Sequence, residues 1–344
     1  MKKQDIRSML PEDLARVLQG MEEKPFRAKQ IFQWLSRGVK SFDEMTNLSH
    51  TLREKLEASF TLSVPRLIEK QTSREDGTIK YLWELEDGSS IETVLMRMRH
   101  GNTVCISTQV GCRMGCAFCA SAIGGLKHNL RPSEMLGQVL FVERESGVKI
   151  SNIVLMGIGE PLDNLENVLR FLKLVNHPEG LNIGMRHITL STCGLVEEID
   201  KLGEHNIQLT LSVSLHAPDD ETRDRLMPIN QKTGIALLME ACKRYFQRTG
   251  RRVSFEYALI DGVNDTKEQA RHLAKRILDA GGHLNLIPLN PVAQRTLQGS
   301  GKAKVEAFAE TLRRSGVNVT IRRSLGGDIE ASCGQLRRRR EGLS

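Results

Sequence analysis

Three cysteines fall within one short stretch, Cys112-Arg113-Met114-Gly115-Cys116-Ala117-Phe118-Cys119, beside Gly111 and directly after a run of strand character at Val104–Ser107. Thiolates at this density are metal ligands. Zinc wants a fourth ligand, usually from a second pair, and the chain has no second Cys-x-x-Cys, only His128 nearby as a substitute. A [4Fe–4S] cluster held by three thiolates leaves one iron without a protein ligand, which is what a cofactor-binding cluster needs. The spacing therefore favours an iron–sulfur site with Cys112, Cys116 and Cys119 as ligands. The chain has 7 cysteines in all, an odd number over 344 residues. That argues against a disulfide framework and for thiol or metal chemistry in a reducing compartment.

Such a loop needs a scaffold, and the rest of the chain reads as one. Residues 1–62 carry three short amphipathic patterns, the first opening at Leu10-Pro11-Glu12-Asp13, and are expected to form a small N-terminal helical domain that grips RNA. Residues 63–97 change to strand texture, with Asp76-Gly77 and Asp87-Gly88 as hairpin signals. Beyond them, apolar strand runs at Ile153–Met156, Ile188–Leu190, Leu209–Leu215, Val253–Leu259, Leu284–Pro288 and Val317–Ile321 alternate with helical patterns. Repeated β-α units imply a parallel sheet with helices outside. With the strand near Val104–Ser107 the count is six or seven units over residues 98–336, too few for a closed eight-stranded barrel. The expected fold class is α/β, a partial open barrel of (β/α)6 type, with chemistry at the carboxyl ends of the strands. Residues 337–344 form a basic tail.

Composition narrows the function classes. The chain is 40% hydrophobic and 26% charged, enough for a sizeable core and a hydrated surface. No run of some 18 apolar residues spans a bilayer, and charges at Lys2, Lys3 and Asp5 occupy the place of a signal peptide's apolar centre. A cytoplasmic location without membrane association is expected. The net charge of +7 favours a polyanionic partner. Aromatics at 4% argue against a broad base-stacking platform, so RNA would be read through shape and backbone, with the target base extruded. Arg97, Arg99, His100, Lys127, His128, Arg322 and Arg323 are candidate phosphate contacts.

The Cys-x-x-x-Cys-x-x-Cys spacing with Phe118 before the last cysteine resembles that of the radical S-adenosylmethionine (SAM) superfamily. Met156-Gly157-Ile158-Gly159-Glu160-Pro161 follows the second barrel strand, where glycines let backbone approach a ligand and a carboxylate accepts hydrogen bonds from an ammonium group. The resemblance narrows on Glu23–Ala28, Ser41–Thr46, Leu190–Gly194, Ser214–Pro218, Asn285–Pro291 and Asp328–Leu336. Together these resemble the RlmN/Cfr family of radical SAM methyltransferases, over nearly the whole chain.

The resemblance implies a [4Fe–4S] cluster and SAM as cofactors. It implies Gly159, Glu160, Ser191, Ser214, Leu215, His216 and Asn290 as SAM contacts. It also implies methylation of an adenine carbon of 23S ribosomal RNA, and of transfer RNA, with an external flavodoxin-like electron donor and a monomeric enzyme. An amidine carbon has no lone pair to attack a sulfonium. The family's route has Cys333 take a methyl group from one SAM, a radical from a second SAM remove a hydrogen from it, and the resulting methylene radical add to the adenine. Cys105 then resolves the adduct as a disulfide with Cys333, and Glu92 matches the proton acceptor. Read without the family, Cys105 is a buried strand cysteine and Glu92 a solvated strand residue. The texture is closer to the RlmN type, which methylates the 2-position, than to the Cfr type, which methylates the 8-position. A zinc-stabilised RNA-binding protein without catalysis is the alternative of another class.

Overall fold

The structure, a computed structural model, describes residues 3–289, 296–329 and 336. The amino-terminal segment contributes a short strand β1 (Gln4–Asp5), helices α1 (Pro11–Gly20), α2 (Arg27–Ser36) and α3 (His50–Ser59), and β2 (Phe60–Thr61), which pairs with β1. Pro11 opens α1, and the Asp13 carboxylate accepts the Leu10 N–H, satisfying an otherwise orphaned donor. An antiparallel run follows: β3 (Arg66–Thr72), β4 (Ile79–Glu84) and β5 (Ser90–Met98), turning at the two Asp-Gly sites. β6 (Gly101–Cys105) leads into a small hairpin, β7 (Gln109–Gly111) with β8 (Leu126–Asn129).

The repeating units are then α4 (Pro132–Ser146), β9 (Asn152–Leu155), α5 (Leu165–Asn176), β10 (Ile188–Thr192), α6 (Val196–Glu204), β11 (Thr210–Ser214), α7 (Asp220–Leu226), α8 (Asn230–Thr249), β12 (Ser254–Leu259), α9 (Lys267–Ala280), β13 (His283–Pro288), α10 (Lys302–Arg314) and β14 (Val319–Ile321). The ten-stranded sheet runs β14-β13-β12-β11-β10-β9-β6-β5-β4-β3. Its pairs from β6 to β14 are parallel, and β5, β4 and β3 extend it antiparallel. The sheet is open, as the strand count requires. Asn290, Cys333 and the basic tail lie outside the described residues.

The parallel strands alternate rather than running uniformly apolar. Leu190, Val213, Phe255, Tyr257 and Leu286 are buried in the core under the helices. Ser191, Ser214, Glu256, Ala258 and Ile287 point the other way and line a cavity. Period-two alternation thus builds an apolar outer face and a partly polar lumen. The helical segment joins the same core: Leu14, Ile31, Phe32 and Leu52 pack in one cluster with Met135, Leu140 and Phe171. Buried Arg7 donates to the Val39 carbonyl at 2.6 Å and stacks on the Phe141 ring. Each deeply buried leucine or phenylalanine here is worth about 2–5 kcal/mol on truncation to alanine. Among the described residues no helix is long and apolar enough to cross a membrane.

Candidate active site

Cys112 directly follows β7, so the cysteine loop is the loop of the β7–β8 hairpin. The sequence signals missed this hairpin because its strands are only three and four residues long. The loop is held at both ends and in the middle. Cys112 N–H bonds to Gly125 O, Cys119 N–H to Cys116 O, and Ala117 N–H to Leu226 O, the last residue of α7, at 2.8 Å. Cys112, Cys116 and Cys119 open on one cavity of about 310 Å³, together with Gly159, Glu160, Ser191, Ser214 and His216. Burial pushes the Cys112 thiol up to about 12 and Cys116 higher still, so these thiols would ionise only as a metal took the proton's place.

Among the described residues, no three His, Cys, Asp or Glu side chains gather closely enough to share one metal ion. His128, the substitute ligand near in sequence, sits on β8 against Asp87 at 3.5 Å. A cluster of several irons asks for something else, since each thiolate meets its own iron, and three thiols on one cavity wall fit it.

Glu160 is buried, with Oε1 accepting the Leu162 N–H at 3.1 Å and Oε2 the Cys193 N–H at 2.7 Å. Burial raises its pKa, and those donors pull it back. It therefore ties the end of β9 to the end of β10 while facing the cavity. Gly157 and Gly159 also line the cavity, yet the close approach they permit is to the chain itself. A Cβ on Gly157 would lie 2.5 Å from Ile106 O, and one on Gly159, at φ +112°, 2.8 Å from Gln109 N.

His216 adopts φ 54°, a left-handed conformation costly for a non-glycine residue. Its Nδ1 accepts the Ala258 N–H at 2.9 Å, which leaves Nε2 to carry the ring proton, and Phe118 meets the ring edge-on. Burial, with the charge of Arg223, lowers its pKa to about 3, so the ring is neutral. Leu215 does not line the cavity. Its side chain is in the apolar core, its N–H donates to Glu256 O, and its carbonyl accepts from Arg223.

A second cavity of about 330 Å³ adjoins the first, sharing Phe118, Cys119, Met156, Ile287, Leu289 and Arg322 with it. Cys105 lines this one. Strand register sets Lys80, Val94, Cys105 and Val154 on one rung across β4, β5, β6 and β9. Glu92 lies one step along β5 from Val94 on that face. It is buried, not solvated, and pairs with Lys80 Nζ at 3.0 Å. Arg322, read from sequence as a phosphate contact, is exposed and turns its guanidinium toward Met156 Sδ and Glu256 Oε2, at 3.7 and 3.5 Å. The segment after β14 is clasped to the β3–β4 turn: Asp76 accepts the Gly326 N–H at 2.7 Å and Asp328 the Arg74 N–H at 2.8 Å. Arg97, Arg99, His100 and Lys127 are exposed.

Sequence reasoning missed Glu256, whose carboxylate accepts from Ser212 Oγ and Asn285 Nδ2 at 2.6 and 2.9 Å in the lumen. An acid alternating with Phe255 and Tyr257 inside a buried strand was the available signal. It missed Lys80 and Arg223 as well. Cys193 lines the first cavity, and Cys242 packs in the core.

Comparison with known proteins agrees with this geometry. Residues 106–275 match the Radical SAM superfamily, and residues 4–62 match the ribosomal RNA large subunit methyltransferase N-terminal domain. A probable dual-specificity RNA methyltransferase RlmN from Desulforamulus reducens is 52% identical over 340 residues, covering 98% of this chain and 97% of that protein. Its counterpart from Bacillus velezensis is 54% identical over 319 residues, covering 92% and 88%. The crystal structure of a radical SAM methyltransferase from Sphaerobacter thermophilus superposes with a TM-score of 0.92 at 42% identity, covering 96% of this chain and 98% of that one. Its superfamily uses a [4Fe–4S] cluster and SAM. With a matching fold, a three-thiol cavity and near full-length identity, the chain belongs to the RlmN family of radical SAM RNA methyltransferases.

Proposed function

We propose that the chain methylates the 2-position of an adenine in 23S ribosomal RNA, position 2503 in family usage, and of adenine 37 in transfer RNA, using two SAM per turnover. The observation that carries this reading is the pair of joined cavities. One is lined by three thiols and the other by Cys105, with Cys119 and Met156 common to both.

In this reading Cys112, Cys116 and Cys119 hold the cluster, with one iron left for SAM. Bound together, cluster and SAM supply a 5′-deoxyadenosyl radical. Glu160 provides the counter-charge for the SAM ammonium, Ser191 and Ser214 offer hydroxyls, and His216 offers its Nε2–H. Gly159 shapes the cavity wall, and Asn290 joins the set from outside the described residues. Leu215 contributes through backbone alone.

Cys333, also outside the described residues, carries the methyl group. Cys105 is the resolving thiol: as its sulfur bonds to Cys333, the bond from Cys333 to the methylene carbon breaks, the thiol hydrogen completes the methyl group, and the unpaired electron of the adduct would leave through the bound cluster. Glu92 accepts the proton that leaves the adenine carbon. Residues 4–62, with the exposed cations Arg97, Arg99, His100 and Lys127, dock the RNA backbone. A flavodoxin-like protein delivers electrons, and the enzyme works as a cytoplasmic monomer.

The test is Cys105→Ala with RNA and SAM under reducing, anaerobic conditions. A covalent RNA–protein adduct should accumulate, because the resolving thiol is gone. Release of methylated RNA at the unmodified chain's rate would contradict the relay.

A further inference from the structure

Arg223, on α7, is 0% exposed. A guanidinium cannot shed its proton under any ordinary condition, so this is a permanent charge inside the fold. Its acceptors are all carbonyl oxygens: Leu215 O from Nε at 3.1 Å, Cys193 O and Ser214 O from Nη2 at 2.7 and 3.1 Å, and Asn230 Oδ1 from Nη1 at 2.9 Å. Among the described residues it makes no ion pair. Compensation is indirect, since Asn230 donates onward to Asp220 and Asp224. The helix that carries Arg223 also pins the cysteine loop through Leu226 O and Ala117 N–H. Its bond to Cys193 O places the guanidinium beside the cavity that Cys193 shares with Cys112, Cys116 and Cys119.

Retaining a buried cation is costly unless its charge is used. A neutral amide could make two of these four hydrogen bonds without burying a charge. The orientation is informative: Arg223 braces the ends of β10 and β11, and the helix that carries it pins the loop that holds the three thiols. An electron added to a thiolate-bound cluster adds negative charge, and a fixed cation in a low-dielectric surrounding stabilises that state.

We propose that Arg223 is a positioning residue that raises the reduction potential of the bound cluster, while holding the carbonyls of Cys193, Ser214 and Leu215 in place around the SAM cavity. The proposal rests on the assignment of Cys112, Cys116 and Cys119 as cluster ligands, and its test separates the two.

The experiment is a redox titration of the reconstituted full-length chain, followed by electron paramagnetic resonance of the reduced cluster. Arg223→Gln removes the charge and keeps part of the hydrogen bonding. Arg223→Lys keeps the charge and loses most of the hydrogen bonding. The potential should move to more negative values in the glutamine variant, at unchanged iron content, and stay at the unmodified value in the lysine variant. A glutamine variant at the unmodified potential overturns the proposal, as does a lysine variant that moves equally far. Asp220→Asn provides an independent reading if the glutamine variant loads no cluster. It retains the Oδ1 acceptor for Asn230 and Ile235 while removing compensating negative charge. Its potential should move positive, and an unmoved value overturns the proposal. An unmodified chain that binds no cluster, or a Cys112→Ala chain that binds it unchanged, strikes the ligand assignment instead.

Discussion

The ammonium group of Lys80 lies 3.0 Å from the carboxylate of Glu92, and the two side chains are 0% and 3% exposed. Lys80 is on the rung that holds Cys105, two strands and about 10 Å away, and Glu92 is one step along the adjacent strand. Lys80 holds the Glu92 carboxylate in place on the face of the sheet that carries Cys105.

Glu92→Gln should therefore lower RNA methylation by about 10²–10⁴-fold, the range for loss of a positioned general base, with reductive SAM cleavage retained. Lys80→Met should lower methylation similarly and cost about 3–5 kcal/mol of stability, because it breaks a buried ion pair. Lys80→Arg should recover part of both. Product yield and deoxyadenosine yield, measured side by side, check this. Equal loss of both products would point to general misfolding.

A second prediction concerns His216, whose folded pKa is about 3 against an ordinary 6.5. Between those values the unfolded chain binds a proton that the folded chain does not. The neutral ring's contribution is thus fully present above pH 6.5 and is lost as pH falls, by about 1 kcal/mol per unit. His216→Asn tolerates the left-handed backbone and removes the titration. Thermal melts from pH 7 to pH 5 should show the gap between the two proteins shrink or reverse as pH falls. A gap constant with pH would contradict the buried neutral ring.

Glu160→Gln should weaken SAM binding by about 10–100-fold and cost about 1–3 kcal/mol of stability. One of its two backbone N–H partners would then face an amide hydrogen. Isothermal titration with SAM on the cluster-loaded chain measures the first effect. Binding at full strength would remove Glu160 from the ammonium site.

Gly157→Ala places a methyl group 2.5 Å from the Ile106 carbonyl. It should destabilise the chain by about 1–3 kcal/mol and reduce cluster loading, because the ends of β6 and β9 are forced apart where the cysteine hairpin departs. Denaturant melts and iron content check both. Unchanged iron content would mean the hairpin is positioned independently of this contact.

Much of this architecture was legible because it is local. The strand runs at Ile188–Leu190, Val253–Leu259 and Leu284–Pro288 became β10, β12 and β13 with small shifts at their ends. The cysteine spacing and the glycines at Gly157 and Gly159 marked the cavity. What was hidden depends on pairs far apart in sequence. Nothing local to Lys80 announces a buried ion pair, which follows from the β4–β5 register. Nor does anything local to Asp76 announce Gly326 as its partner. The glycines after β9 were expected to admit a ligand and instead admit Ile106 and Gln109. Leu215 falls between two cavity-lining residues, Ser214 and His216, yet strand alternation turns its side chain into the core. Nor does anything local to Arg223 announce its burial, which follows from its bonds to the ends of β10 and β11.

The most direct measurement is nucleoside mass spectrometry after anaerobic reaction of the reconstituted chain with SAM, a reductant and a 23S ribosomal RNA fragment. The account predicts 2-methyladenosine, lost in Cys333→Ala while SAM cleavage persists. Formation of 8-methyladenosine alone, or no methylated adenosine from a chain that holds its cluster and cleaves SAM, would contradict it.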